Sequence, residues 1–581
     1  MKADARRGDR LIAGAVALGL FVLFWLGRSR SFGAGDSAQH VLCAVTWGVP
    51  HPPGYPLQTA LGWAWSRLFA DHGAAVNGLS GLFAALAAAV LYLLLRGSGF
   101  RRAAALTAAG FMAFSPLFWY YSLIAEVRAL NDLLALAAAY FVLDWTQEGR
   151  DRSLYLFAVC FGLGVSHHPT FVLLIPAFAV WLSSRRPSPR AAAVAAALAL
   201  AALIAPYALL RARLAWSAPA YNLFEVSSWR DIAALFLRTR LGGPLSMAAD
   251  GGGAFSAPAV AVQVINFAEG LWAFAGPAAL ALAAYGAVSM WRKHRRGLLA
   301  WGLWFLVSAA VPVVLSSAEM AVRDPDYVRA VVARFYLLPL LAVFALAGLG
   351  ADRLLSRARP ALGWALAAAV WLLPLAFQPP RLARENPQLD AARALVRDSK
   401  PGDLIILGSD DSIFAALDLE LVRGEGGGRV FLTPSVFGLP SYARLLARRY
   451  PDLRVPPAEN GGLTVDWKKW LDLNPGRAVL FEPGLLAAAL ALYPKCVPQG
   501  TLIRVLPEAR RDDPAADARR FLDAPETLEV NRGNVRAWTQ EIYLLKVRAA
   551  LADWLASRLD PKRDAVLLEN LAGARAALRT P

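Results

Sequence analysis

Long apolar blocks alternate with short basic segments over the first two-thirds of the chain. The first block, LIAGAVALGLFVLFWLG, follows MKADARRGDR, and no small-residue cleavage site closes it before Arg28 and Arg30. Later blocks have lengths near the roughly 17–25 residues that cross about 30 Å of hydrocarbon. The pattern predicts a multi-pass membrane protein that begins with an uncleaved signal-anchor.

The basic residues predict the direction of each crossing. Arg6, Arg7 and Arg10 are expected to hold the N-terminus in the cytoplasm, and RGSGFRR, DWTQEGRDR, WRKHRRG and DRLLSRARP then become inner loops. Residues 153–182 carry basic residues at both ends, which indicates two short spans that meet at His167 and His168. About eleven transmembrane helices follow, at 11–28, 76–95, 103–120, 129–145, 153–182 (two), 191–209, 267–291, 298–316, 335–350 and 361–377.

The composition becomes that of a soluble domain after Pro379 and Pro380. DLIILGS, GRVFLT, RAVLFEP and GTLIRVLP read as short strands, whereas PSYARLLARRY and residues 536–578 have helical apolar spacing. The last span exits the cytoplasm, so this part is expected outside. The predicted fold is a mostly α membrane domain (1–378), an extracytoplasmic α/β domain (379–535) and a helical tail (536–581).

Composition and charge narrow the class further. With 57% hydrophobic and 18% charged residues, the chain is too apolar for an ordinary soluble protein. The net charge of +17 comes largely from basic segments between the apolar blocks, so we expect no nucleic-acid partner. Cys43, Cys160 and Cys496 form no metal motif. They are read as unpaired thiols, and a Cys43–Cys496 bridge stays open.

The predicted topology places the concentrated polar motifs of the membrane domain on the outer side. They are Asp36 with His40 and His51, Glu126 with Arg128, His167 with His168, and Arg323 with Asp324, Asp326 and Tyr327. Ionisable groups at a membrane boundary are costly unless they pair or serve a function. Several such groups on one face favour a shared extracytoplasmic site.

These motifs resemble a known family. GDSAQHVLCAVTWGVPHPPGYPL is similar to the D-S-x-E/Q…G-x-x-H-P-P-G-x-P-L signature of the glycosyltransferase-C superfamily, in its protein-O-mannosyltransferase-like branch. LIAEVRALNDLLAL, GLGVSHHPTFVLLIPA, RDPDYVRAVVARFYLLPL and PGDLIILGSDDSIFAALDLELVRG resemble further segments of that branch, in order. One departure is Arg128, which stands where the family has tyrosine.

The resemblance implies sugar transfer, with inversion, from a polyprenyl-phosphate carrier to an outer acceptor. The acceptor hydroxyl needs a general base, and Asp36 is the candidate. His168, Arg323 and Arg334 are candidates for holding the departing phosphate. Glu126 could orient the acceptor or share a divalent cation with Asp36. The remaining residues assigned to acceptor binding or site shape are His40, His51, Pro52, Pro53, Gly54, Arg128, Asn131, His167, Asp326 and Tyr327.

Simpler structural roles stand beside these assignments. Asp36 could be a helix cap, His167 and His168 could cap a hairpin, and Arg334 could anchor a span at the interface. Asp324-Pro325-Asp326 formally matches the D-x-D metal motif of nucleotide-sugar transferases. Asp410 and Asp411 read as a solvated loop, and SSWRDIAALFLRTRL reads as a helix that could lie in the membrane interface.

Three functions remain open at this point. A transferase would use a polyprenyl-phosphate sugar, with mannose favoured by the resemblance, and a protein Ser/Thr, glycan or lipid acceptor. A transporter or flippase would be expected to show inverted repeats and polar groups near the bilayer midplane. A non-catalytic assembly protein would not need Asp36. No cofactor other than a divalent cation is suggested.

Overall fold

The computed structural model of the protein describes residues 2–239, 257–315, 325–356, 358–377, 387–437, 439–456, 467–485, 496–506, 513–523 and 542–577. Its contacts divide the chain into two compact units. The first is Met1–Arg30, Pro52–Ala218 and Ser227–Arg384; the second is Ser31–His51, Pro219–Val226 and Glu385–Pro581. The segment that carries Asp36 thus groups with the C-terminal residues, although the predicted boundary at residue 378 kept it with the membrane helices.

The N-terminal two-thirds of the chain is helical. Its helices, all in the first unit except α2, are α1 (Lys2–Gly27), α2 (Ser37–Thr46), α3 (Pro56–Ser66), α4 (His72–Gly97), α5 (Arg102–Ala113), α6 (Pro116–Leu123), α7 (Arg128–Glu148), α8 (Asp151–His167), α9 (Ile175–Leu182), α10 (Pro189–Trp216), α11 (Trp229–Phe236), α12 (Ala257–Lys293), α13 (Arg295–Ala310), α14 (Pro325–Val332), α15 (Leu337–Leu355) and α16 (Pro360–Phe377). A 3₁₀ turn, Pro169–Leu174, separates α8 from α9, and another, Ala333–Tyr336, precedes α15.

Small residues allow close helix packing in this unit. A Cβ added at Gly350 would lie 1.9 Å from the Leu282 carbonyl oxygen, and one at Gly286 would lie 2.2 Å from that of Leu346. The backbones of α12 and α15 therefore touch where both helices carry glycine. Such contacts are typical of helices that associate in a bilayer.

Among the described residues, seven helices are long and apolar enough to cross a membrane, or eight if α5 and α6 form one span bent by 64°. Residues 153–182 were predicted to form two short spans that meet at His167 and His168. The helix α8 does end at His167, and a 3₁₀ turn and the eight-residue α9 follow it. These pieces are shorter than a full span. The predicted number of eleven therefore stays a prediction, while the multi-pass helical architecture is confirmed.

The second unit contains a five-stranded mixed sheet in the order β2-β1-β3-β5-β4. Its strands are β1 (Leu404–Ile406), β2 (Val430–Leu432), β3 (Val479–Phe481), β4 (Cys496–Gln499) and β5 (Leu502–Val505). β1 pairs in parallel with β2 and β3, whereas β5 pairs antiparallel with β3 and β4. All four predicted strands are present, and β4 was not predicted.

Besides α2, the second unit contains C-terminal helices that complete an α/β domain. They are α17 (Pro387–Arg397), α18 (Asp410–Leu421), α19 (Pro440–Arg449), α20 (Trp467–Leu473), α21 (Pro514–Leu522), α22 (Ile542–Ala556) and α23 (Ala565–Ala577). The predicted helix at PSYARLLARRY is α19. The predicted helical tail is divided between α22 and α23, and residues 536–541 lie outside the described part of the chain.

Candidate active site

Two arginines, a glutamate, a histidine and a phenylalanine meet at helix boundaries of the first unit. Glu126 and Arg128 flank the start of α7, His168 follows the end of α8, and Arg334 and Phe335 lie in the 3₁₀ turn before α15. We call these five residues the arginine cluster. Each belongs to a break between helices, where side chains from different helices can converge.

Glu126 is the counter-charge of both arginines. Its carboxylate is 2% exposed, with Oε1 3.7 Å from Arg334 Nη1 and Oε2 4.0 Å from Arg128 Nε. Both guanidinium groups also lie by the Phe335 ring, with Cζ atoms 4.5 Å and 5.6 Å from its centroid. The cluster holds two cations against one anion, so it has a net positive charge suited to an anionic ligand.

His168 orients Arg128. Arg128 Nη1 lies 3.0 Å from His168 Nε2, and His168 Nδ1 lies 2.7 Å from Thr170 Oγ1. Because a guanidinium can only donate, Nε2 must accept, which assigns the proton to Nδ1 and makes the ring neutral. The Thr170 N–H also lies 3.2 Å from Nδ1, but in this tautomer Nδ1 carries the proton and donates to Thr170 Oγ1, so it does not cap the 3₁₀ turn.

Tyr55 extends the cluster towards the HPPGYP turn. Its ring stacks on His168, with centroids 6.0 Å apart and planes at 27°. Gly54 and Tyr55 both have positive φ, and the Pro52–Pro53 peptide is cis. The Tyr207 hydroxyl has a single proton, which it shares between the Pro53 carbonyl oxygen at 2.9 Å and the Ser166 carbonyl oxygen at 3.2 Å. The turn is thereby held against α10 and the end of α8.

Helix α11 covers the same turn. A Cβ at Gly54 would lie 2.4 Å from Leu235 Cδ2, the Phe236 ring lies edge-on to Tyr207 at 5.5 Å, and Arg238 Nη1 lies 3.4 Å from the Pro52 carbonyl oxygen. The buried side of α11, which includes Ile232 and Leu235, therefore faces protein. That the segment lies in the membrane interface stays a prediction, and residues on another side of it, such as Trp229, are exposed.

His167 has a structural contact of its own. Its Nε2 lies 2.8 Å from the Val127 carbonyl oxygen, and the side chain is fully buried. This bond ties the end of α8 to the backbone between Glu126 and Arg128. His167 thus helps to hold the arginine cluster in shape.

A small polar cavity adjoins the cluster, with Arg128, Arg334, Asn131 and Asp132 in its lining. Asp132 is 1% exposed, and among the described residues neither of its carboxylate oxygens has a hydrogen-bond partner. The cavity, of about 10 Å³, has room for one water molecule. Sequence reasoning named Asn131 and missed Asp132, although an acidic residue in the first turn of an apolar helix is itself a signal.

Asp36 lies in the second unit, directly before α2. Within the described part of the chain, its carboxylate makes no hydrogen bond that caps α2. Asp36 Oδ2 lies 4.0 Å from His51 Nε2, and the His51 ring lies 6.0 Å from that of His40. His51 Nδ1 is hydrogen-bonded to Gln39 Oε1, and Gln39 Nε2 donates to Tyr221 Oη at 3.0 Å. The geometry therefore gives no support to a simple cap.

Four further predicted site residues stand at positions 323–327 of the sequence. Arg323 and Asp324 lie outside the described residues, and Asp326 and Tyr327 belong to α14, whose first residues have no described side chains. Among the described residues, no three His, Cys, Asp or Glu side chains could hold a metal ion. Glu126, held between two guanidinium groups, does not fit a divalent cation.

Comparison with known proteins identifies sequence relatives. Residues 36–191 match the model of the "Protein O-mannosyl-transferase TMEM260 N-terminal domain". Protein O-mannosyl-transferase TMEM260 of Mus musculus is 30% identical over 429 residues, which cover 70% of this chain and 59% of that protein. The protein of that name from Dictyostelium discoideum is 25% identical over 356 residues, which cover 57% and 43%. The chain spans about half the length of the curated relatives it matches.

A solved structure has the same fold. ArnT from Cupriavidus metallidurans, in a crystal structure bound to undecaprenyl phosphate, matches 87% of this chain and 99% of its own, with a TM-score of 0.55 and 12% identity. Its apo structure matches equally well, over 86% and 98%. This chain has the glycosyltransferase-C fold and an O-mannosyltransferase-like sequence. The family resemblance predicted from the motifs is confirmed.

Most of the candidate residues of this chain lie in the segment that the family model matches. Asp36, Glu126, Arg128 and His168 fall within residues 36–191, whereas Arg334 lies beyond them. Several apolar helices and a membrane-protein fold together make this a multi-pass integral membrane protein. Phe335 of the arginine cluster and the adjoining Tyr55 were both missed, although both stand in the quoted motifs.

Proposed function

We propose that this protein is a membrane glycosyltransferase that moves a hexose, with mannose favoured, from a polyprenyl-phosphate carrier to an extracytoplasmic acceptor. The observation that carries the proposal is the arginine cluster in a glycosyltransferase-C fold. The guanidinium groups of the buried Arg128 and the half-buried Arg334 both lie beside the Glu126 carboxylate, and together they offer charged N–H donors suited to phosphate oxygens. The names of the mannosyltransferase relatives and of the lipid-phosphate-bound ArnT support the same chemistry.

Arg128 and Arg334 are proposed to bind the donor phosphate. Each presents a planar fork of N–H groups that matches phosphate oxygens, and both lie in a largely buried site where such bonds are strong. His168 supports this function as the neutral acceptor that fixes Arg128, rather than as a third cation. Arg323 stays a candidate for the same role.

Asp36 is proposed as the general base. The acceptor hydroxyl gives its proton to the carboxylate as its oxygen attacks the anomeric carbon from the face opposite the phosphate. The bond to the phosphate oxygen breaks, and the carrier leaves as polyprenyl phosphate. This one-step displacement inverts the anomeric centre. Glu126 is less suited to be the base because its carboxylate already lies between two guanidinium groups.

The site is proposed to open on the extracytoplasmic side, with the C-terminal α/β domain on that side. The positive-inside pattern of the loops supports this orientation. A protein Ser/Thr hydroxyl is the proposed acceptor, with a glycan or lipid hydroxyl as the alternative. The donor tail would lie in the bilayer with its phosphate at the level of the headgroups.

The test is transfer by the detergent-purified protein with one of two radiolabelled donors, a synthetic polyprenyl-phosphate mannose or a nucleotide mannose. The proposal expects product only with the lipid donor, and an inverted anomeric linkage by NMR. Transfer from the nucleotide sugar, or lipid translocation without transfer in proteoliposomes, would contradict it and favour another enzyme class or a flippase.

A further inference from the structure

Asp411 was expected to lie in a solvated loop, and this expectation was wrong. It lies in the first turn of α18 and is 5% exposed. Its Oδ1 accepts a hydrogen bond from the backbone N–H of Gly35, the residue before Asp36. Asp410, its neighbour, is exposed. The two adjacent aspartates therefore differ in burial, and the buried Asp411 contacts the Asp36 turn, which we define as residues 33–36.

Hydrogen bonds to side chains hold the backbone of the Asp36 turn in its conformation. Gly35 has φ +69°, a left-handed conformation that favours glycine. Gly33 N–H donates to Ser37 Oγ at 2.9 Å on the other side of the turn. The N–H groups of Gly33 and Gly35 are thus both bound by side-chain acceptors. The acceptor for Gly35, Asp411, lies 376 positions away in the sequence.

The start of α18 is itself fixed to the central sheet. Glu482, 4% exposed, directly follows β3, and its carboxylate accepts hydrogen bonds from Gly408 N–H at 2.8 Å and from the Ser412 hydroxyl. Ser409 caps α18 by accepting from Ser412 N–H at 3.1 Å. Asp411 therefore projects from a rigid element, because both β3 and the cap restrain the turn before it.

The segment 219–226 supports α2 within the same unit. The backbone carbonyl of Tyr221 accepts a hydrogen bond from the Val49 N–H at 2.8 Å. The Tyr221 hydroxyl accepts a second hydrogen bond, from Gln39 Nε2 on α2. The Tyr221 ring lies edge-on to Phe414 of α18 at 6.4 Å, and α18 also packs against α2. The Asp36 turn and the helix that follows it are thus fixed by residues of the C-terminal domain.

We infer that Asp411 is a positioning residue through which the C-terminal α/β domain sets the place of the Asp36 carboxylate. The inference rests on the proposed role of Asp36 as general base. Reacting groups must be held within a fraction of an ångström, and a displacement of about 1 Å can cost about 10²-fold in rate. Without the Asp411 acceptor, the Gly35 peptide is free to rotate, and Asp36 follows it.

The experiment measures kcat and donor KM for Asp411→Ala and Asp411→Ser, with Asp411→Asn as the conservative variant. Serine is tolerated in the first turn of a helix but is too short to reach the Gly35 N–H. Asp411→Ser therefore removes the same hydrogen bond and can be measured if Asp411→Ala does not fold. We expect kcat to fall about 10- to 100-fold with unchanged KM, since the donor phosphate is bound elsewhere. Asn, whose Oδ1 can still accept, should restore most of kcat.

Two controls separate a positioning role from a structural one. Asp410→Asn removes the adjacent exposed charge and should leave kcat and melting temperature unchanged. Asp411→Ser placed in an Asp36→Asn background should cause no further loss, because the residue acts through Asp36. A purely structural role would instead lower the melting temperature, and its effect would add to that of Asp36→Asn.

The outcomes are distinguishable. Wild-type kcat in folded Asp411→Ser, or additive losses in the double variant, would overturn the positioning role while leaving Asp36 as the base. Wild-type kcat in Asp36→Asn would instead overturn the proposed base and this inference with it. A fall in both single variants that does not add in the double variant is the result expected here.

Discussion

At the residue scale, the contacts among Arg128, His168 and Glu126 favour roles other than those predicted from the sequence. His168 was predicted as a cation for the phosphate, but the guanidinium at Nε2 requires a neutral ring that accepts. Arg128, predicted only as a site-shaping departure from the family tyrosine, lies nearest to the counter-charge together with Arg334. The sequence can indicate which residue types gather on one side, but not which nitrogen of a ring faces which partner.

The arginines give the first prediction. Arg128→Ala and Arg334→Ala should each lower kcat/KM for the lipid donor by about 10- to 100-fold, since a hydrogen bond to a charged group contributes about 1.5–3 kcal/mol. Lysine at either position should restore activity only in part, because a single ammonium cannot reproduce the bidentate fork. Arg213→Ala, an arginine with an exposed hydrogen bond to Ser217, is the matched control. Full activity in both alanine variants would remove the arginine cluster from the donor site.

His168 gives the second prediction. His168→Phe keeps an aromatic ring against Tyr55 but removes the acceptor for Arg128. Donor KM should rise by a factor of about 5–10, as expected for the loss of a hydrogen bond of about 1–1.4 kcal/mol. His168→Gln, which has an amide oxygen able to accept, should lie closer to wild type. Equal kinetics for Phe and wild type would refute the orienting role.

At the element scale, the segment after the first span shows where pattern reasoning stops. It was predicted as an outer loop, yet about half of it forms two helices, α2 and α3, which are separated by the HPPGYP turn. Both helices are short and buried on several sides, so no single apolar stripe marks them. The strand β4 was missed because it contains Pro498. Proline argues against a strand except at the edge of a sheet, and β4 is an edge strand.

The HPPGYP turn gives the third prediction. Gly54 has φ +91°, and a Cβ there would overlap Leu235 of α11, whereas Gly99 has a similar φ of +89° and nothing within 4 Å. Both Gly→Ala variants should lose about 1 kcal/mol of stability through backbone strain. Only Gly54→Ala should also displace α11 and raise donor KM, because Tyr55 would leave the His168 ring. Identical effects of the two variants on transfer would show that the α11 contact is unimportant.

At the scale of the whole molecule, local sequence patterns predicted the individual helices and strands. They did not predict which segments of the chain group together in each of the two units. The apolar blocks and the buried strands such as DLIILGS are local signals, and the structure contains them. The grouping of residues 31–51 and 219–226 with the C-terminal domain depends on contacts such as Gly35–Asp411 between distant positions. A single sequence carries no periodicity that reports such pairs.

Topology gives the fourth prediction, which remains to be tested. In a cysteine-free variant, a thiol introduced at Lys400 should react with a membrane-impermeant reagent applied from outside, and one at Arg295 should not. Both positions are exposed, so burial cannot explain a difference. The positive-inside pattern is the basis. Labelling of position 295 from outside, or protection of position 400 in intact cells, would reverse the proposed orientation.

The central claim is that Asp36 is the base of a lipid-phosphate-dependent sugar transfer, and one measurement tests it most directly. Equal amounts of folded wild-type and Asp36→Asn protein are assayed for transfer from a synthetic polyprenyl-phosphate mannose. The amide is nearly isosteric but cannot take a proton, so turnover should fall by at least about 10²-fold with little change in donor KM. Wild-type turnover in Asp36→Asn would contradict the account and make Glu126 the next carboxylate to examine.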